Sequence, residues 1–149
     1  MRFAEFLVKH GRNVAFLVDA DSRHGAKHIF SETKLTAAGL DPNVHCLYIG
    51  EPNEIEDVFS NEAWVDVANK FWPRDGEDQP SDVWTSDDFA AHRGGKFSKA
   101  IEQMLREGST SGPNGKPEML STLALSLSSR DQIPQILLDR FEALIARAK

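Results

Sequence analysis

The chain has a single cysteine, Cys46, set inside an apolar run. One thiol excludes a disulfide framework and fits a reducing cytoplasm, with Cys46 packed as a small hydrophobe rather than used as a nucleophile. No stretch approaches the ~20 consecutive apolar residues of a membrane span. The N-terminal segment carries Glu5 inside an amphipathic helical pattern rather than a signal peptide, so no membrane is expected as a partner. Positive charge is not in excess: the 149 residues carry a formal net charge of −6. A polyanion would have to be met by a local basic patch or through bound metal. His10, His24, His28, His45 and His92 show no zinc spacing, and core or surface roles are expected for them. His24 is singled out because it follows an acidic pair. Internal repeats are absent, and so is a Walker-type phosphate loop.

What is present is an ordinary globular composition, 40% hydrophobic and 27% charged, in a chain long enough for a sizeable core. The stretch Val14-Ala15-Phe16-Leu17-Val18-Asp19-Ala20-Asp21 organises the rest. An apolar run without polar alternation reads as a central parallel strand buried on both faces. Asp19 and Asp21, two residues apart, share a side of that strand if extended geometry continues past Val18. They lie at a strand's carboxyl end, where open α/β sheets bind ligands. Two carboxylates so close call for a positive partner, and a hard divalent cation supplies one.

Upstream, Phe3, Phe6, Leu7 and His10 recur at helical spacing before Gly11. Downstream, Ala26, Ile29, Phe30, Thr33 and Ala37 mark a helix ending at Gly39, Leu40 to Asn43 a turn, and Val44 to Ile49 a second strand. Strand, helix and strand form a parallel crossover, so both strand exits fall on one sheet edge. That edge receives Asp19 and Asp21 from one exit and Glu51, Glu54, Glu56 and Asp57 from the other. Three or four oxygen ligands there suit Mg²⁺ or Mn²⁺. The competing account is capping: Asn53 followed by Glu56 resembles a capping box, and first-turn acids complement a helix dipole.

The second half reads as helix and loop: helices within 54–71, an acidic excursion from Pro73 to Ser86 anchored by Trp84, then helices recovering at Phe97, at Pro117 and near Pro134. In the last of these, Ile136, Leu137, Phe141, Leu144 and Ile145 are expected to face inward. The expected organisation is an incomplete α/β core over 1–72, an insertion loop over 73–96 and a helical C-terminal part over 97–149 packed on the same core. Lys116, between the Gly112–Gly115 loop and a helix start, could neutralise a phosphate or a developing charge. Arg93, Lys96, Lys99 and Arg106 could form a modest basic strip, read more simply as a solvated helix face.

The order apolar strand, Asp-x-Asp, helix, strand, Glu-Ile-Glu-Asp resembles the Toprim catalytic domain of topoisomerases, primases and related nucleases. The continuation is more particular. Glu54-Ile55-Glu56-Asp57-Val58-Phe59, a long insert, Gly115-Lys116-Pro117-Glu118 ahead of a helix and a terminal helix opening at Ile133-Pro134 resemble the C-terminal nuclease region of the OLD (overcoming lysogenization defect) family. Members pair an ABC-type ATPase with a Toprim nuclease. The resemblance spans roughly residues 5–148.

It implies a partial Toprim, Rossmann-like parallel sheet followed by a helical part. It also implies metal-dependent endonucleolytic hydrolysis of DNA, with an ABC-type ATPase domain as a partner in the parent protein. By position, Asp19 and Asp21 would be metal ligands, and Glu56 the acidic ligand after the second strand, ahead of Glu54 and Asp57. Lys116 would stabilise charge on the scissile phosphate. The family's opening strand, ending in a Glu-Gly-x-x-Glu-like segment, has no counterpart before Asp19, where Glu5 is the only acid. The expectation is therefore a site inactive in this fragment unless that glutamate strand is supplied. Two alternatives stand beside it. One is a haloacid-dehalogenase-like phosphatase with Asp19 as nucleophile and Asp21 as acid/base. The other is a non-catalytic remnant or interaction module.

Overall fold

A computed structural model describes residues 1–25, 27–50, 54–76 and 83–148. Along the chain run α1 (Arg2–Lys9), β1 (Phe16–Asp19), a 3₁₀ turn (Ala20–Ser22), α2 (Glu32–Ala37), α3 (Pro42–His45), β2 (Cys46–Ile49) and a second 3₁₀ turn (Ile55–Val58). They are followed by α4 (Asn61–Phe71), α5 (Ser86–Ala90), α6 (Phe97–Gly108), α7 (Lys116–Ser126), a third 3₁₀ turn (Arg130–Gln132) and α8 (Gln135–Ala148). This is a mixed α/β chain with a short parallel sheet. It separates into two compact units, residues 1–55 with 134–149, and residues 56–133. The last helix belongs with the first unit because α8 packs on both strands. Arg147 ties it there, donating to the carbonyls of Val44 and Cys46 at 3.0 and 3.1 Å.

In the first unit β1 and β2 are parallel, with Phe16 opposite Cys46 and Asp19 opposite Ile49. Both strands therefore exit at one edge, as the crossover pattern implies. They are shorter than the apolar runs that encode them. Asp41 caps α3 by accepting the Asn43 N–H at 2.9 Å, so Val44 and His45 are helical and β2 begins only at Cys46. Val14 and Ala15 then have no strand residues to face, and the carbonyl of Val14 is taken by the His45 ring at 2.8 Å. β2 is buried throughout, whereas every residue of β1 is half-exposed, so β1 is not the doubly covered strand its composition suggests.

Three helices also depart from their patterns. The helix expected from residue 26 starts only at Glu32. His28 N–H closes a turn on the Gly25 carbonyl, the Glu32 N–H returns to the Arg23 carbonyl, and Arg23 pairs with the Glu32 carboxylate at 2.7 Å. These local bonds make residues 27–31 turns, while Ala26 lies outside the described residues. In α1 the core side is Met1, Ala4 and Val8, not the Phe3 and Phe6 face. Phe3 is 74% exposed, and Phe6 stacks on His10 instead. Small Ala4 permits a close approach of the helix that a phenylalanine would prevent. Similarly, Leu137 is buried in α8 but Ile136, Phe141 and Ile145 are exposed.

The second unit is helical. Ser60 caps α4 through the Ala63 N–H, Thr85 and Asp88 form a capping box at α5, and Pro117 occupies the first turn of α7. The helices bury Trp64, Phe89, Phe97, Ile101, Leu105, Met119 and Leu123 almost completely. Trp84 does anchor its segment. Its main-chain N–H and carbonyl are both bonded by the Asn69 side chain, and its indole N–H donates to the Trp72 carbonyl at 2.7 Å. Residues 77–82 of the expected excursion lie outside the described residues.

Candidate functional site

Asp19 and Asp21 part company at the end of β1. Extended geometry stops at Asp19, and the chain turns into the 3₁₀ segment Ala20–Ser22. With three residues per turn, positions two apart no longer share a side. Asp19 is half-buried and its Oδ1 accepts the Ile55 N–H at 3.1 Å. Asp21 is exposed, with the Ser22 hydroxyl 3.4 Å from its Oδ1. Asp19 thus fastens the exit of β1 to the first residue of the 3₁₀ turn that follows β2. Gly50 makes this return tight. Its φ of +79° suits glycine, and a Cβ there would collide with the Glu54 carbonyl. Glu54 is half-exposed beside it, while Glu51 and Asn53, the start of the expected capping box, lie outside the described residues.

The remaining acids belong to the second unit. Glu56 is fully buried on the 3₁₀ turn Ile55–Val58, and its Oε2 lies 2.9 Å from Nζ of Lys116, which is about one-third exposed. Lys116 opens α7 directly after Gly115. A cation at a helix N-terminus opposes the macrodipole, and the Glu56 carboxylate offsets that cost. The main chain of Glu56 is held as well: its carbonyl accepts the Trp64 indole N–H at 3.3 Å. Asp57, adjacent, pairs with Arg93 at 3.4 Å.

Among the described residues no group of three or more His, Cys, Asp or Glu side chains is arranged to hold a metal ion. The acids already have partners: Asp19 an amide, Asp57 a guanidinium and Glu56 an ammonium. Asp19 and Asp21 each offer the carboxylate oxygens that Mg²⁺ or Mn²⁺ takes, though from different sides of the chain. Mg²⁺ is commonly held by one or two carboxylates while water and substrate phosphate complete its shell.

Of the basic strip, Lys96 and Lys99 are exposed, and Arg106 lies 3.5 Å from Glu102. Arg93 turns inward instead. Burial pulls its guanidinium below the usual arginine value, against the opposing charges of Asp57 and Glu62. Nothing in the local sequence marks it, because the groups it meets are thirty or more residues away. His24 is exposed. Cys46 is buried, and its burial raises the thiol above its ordinary value, as suits an inert core residue.

No protein-family model, no curated protein and no solved structure matches the chain.

Proposed function

We propose that the chain is a nuclease region of Toprim, OLD type, hydrolysing DNA phosphodiesters with Mg²⁺ or Mn²⁺. The observation that carries this reading is the 2.9 Å contact between Lys116 and Glu56. The resemblance names both residues independently, and they are far apart in sequence. In this reading Glu56 keeps the Lys116 ammonium in one orientation. Lys116, opening α7 with one-third of its side chain exposed, neutralises charge developing on a phosphate oxygen. Asp19 and Asp21 would hold the metal, which when bound supplies an activated water and steadies the leaving oxygen. DNA and an ABC-type ATPase domain are the partners this reading implies.

Two measurements test it. Calorimetric titration with Mg²⁺ and Mn²⁺ should show binding that Asp19→Ala abolishes. With a Toprim glutamate strand supplied, nicking of supercoiled plasmid should fall at least ~100-fold in Lys116→Ala, the scale of losing a charge-stabilising donor. Absence of metal binding, or binding indifferent to Asp19→Ala, refutes the reading. A second reading is a folded but non-catalytic interaction module. Metal-independent capture of a partner without nicking would establish it.

A further inference from the structure

Arg93 lies between α5 and α6, where a surface lysine-like role would be unremarkable, yet its side chain is only 27% exposed. Its donors are spent on one short segment. Nε donates to Asn61 Oδ1 at 2.9 Å. One terminal nitrogen donates to the Asp57 carbonyl at 2.9 Å and lies 3.4 Å from the Asp57 carboxylate. The other donates to the Phe59 carbonyl at 2.7 Å. The guanidinium also stacks 4.0 Å from the centre of the Phe97 ring, a favourable cation–π distance.

Two of these acceptors are main-chain carbonyls, which no rotamer change can move. The fork therefore sets the path of residues 57–59 from one side, and the Trp64 indole holds the Glu56 carbonyl from another. Glu56 is left with only its own side-chain torsions by which to reach Lys116. A lysine could not substitute, since a compact ammonium lacks the planar fork needed to serve three separated acceptors.

We propose that Arg93 is the positioning residue for the Glu56–Lys116 pair, acting through the backbone of 57–59 rather than on substrate. The assignment deepens the nuclease reading and rests on it only for its catalytic consequence. Its test is the acylation rate of the Lys116 amine in the full chain, read by mass spectrometry under competitive labelling, with Lys99 as internal reference. Ion pairing protects an ammonium from acylation, so Glu56→Gln should raise the Lys116 rate by roughly fivefold or more. Arg93→Ala should raise it to a similar degree, Arg93→Lys should fail to restore it, and added ethylguanidinium should restore it in Arg93→Ala.

A folded Arg93→Ala protein with wild-type Lys116 labelling overturns the proposal. If Arg93→Ala does not fold, Arg93→Lys decides in the same way: an unchanged Lys116 rate overturns, a raised rate supports. Should labelling respond while the wild-type chain nicks no plasmid even with a Toprim glutamate strand supplied, the positioning role stands and the nuclease reading falls. Should the wild type nick and the labelling not respond, the reverse holds.

Discussion

At the scale of single residues, the fully buried Glu56 carboxylate dominates. Removing one partner of a buried ion pair costs about 3–5 kcal/mol when both are enclosed. Lys116 is one-third exposed, so solvent screening reduces that figure. Lys116→Ala is expected to destabilise the second unit by about 1–3 kcal/mol. Glu56→Gln, which removes the buried charge itself, should cost less. Urea unfolding followed by tryptophan emission checks the order, since Trp64, Trp72 and Trp84 all lie within 56–133.

Asp88 gives the pH dependence. Burial pushes its carboxyl up, but hydrogen bonds from the Thr85 N–H and hydroxyl and from Arg74 outweigh this and hold it below the ordinary aspartate value. A folded-state value below the unfolded one means the unfolded chain binds the proton more readily. The stabilisation is therefore present above the unfolded value of about 4 and is lost as pH falls through the folded one. Asp88→Asn should lower the melting temperature at neutral pH and leave a smaller difference from wild type in acid below the folded-state value. Equal differences at both pH values would contradict it.

At the scale of elements, the connection leaving β2 is the sensitive one. Gly50 takes φ +79° because the chain must fold back at once, so that the Ile55 N–H can reach Asp19. Gly50→Ala adds a left-handed penalty of roughly 1–2 kcal/mol and a collision with the Glu54 carbonyl. The expected result is a lower midpoint in denaturant and loss of amide-exchange protection at Ile55. By contrast, Gly39→Ala meets open space, so it should cost the left-handed penalty alone.

At the scale of the whole molecule, the two units differ in how their chain is assembled. The second is one continuous segment, 56–133, with its own set of buried aromatic and aliphatic side chains. A fragment of those residues should fold alone, with blue-shifted tryptophan emission and a cooperative transition. The first unit is discontinuous: β1 and β2 rest against α8, whose sequence comes last. Residues 1–55 alone should show no cooperative melt by circular dichroism until a peptide of 134–149 is added. A cooperative melt without the peptide would show that the α8 contact is dispensable.

Much of this chain was legible in its sequence because local signals carry it. The parallel strand pair, the stops at Gly11 and Gly39, the starts of α7 and α8 and the anchoring by Trp84 follow from apolar runs, glycine and proline placement, and a lone large aromatic. A strand's length, however, depends on its partner: Asp41 caps a helix that consumes Val44 and His45, and β1 is shortened with it. The direction of Asp21 depended on whether the chain stayed extended for two more residues, which it does not. The companions of Glu56 and Asp57 are further beyond reach of pattern reading. Lys116 arrives from the start of α7 and Arg93 from the turn between α5 and α6, and a buried charge is satisfied by whichever opposite group tertiary packing brings near. Composition and spacing determined which residue types this protein could use. Packing alone decided which carboxylate meets which cation, because that choice is made by long-range geometry rather than by neighbours along the chain.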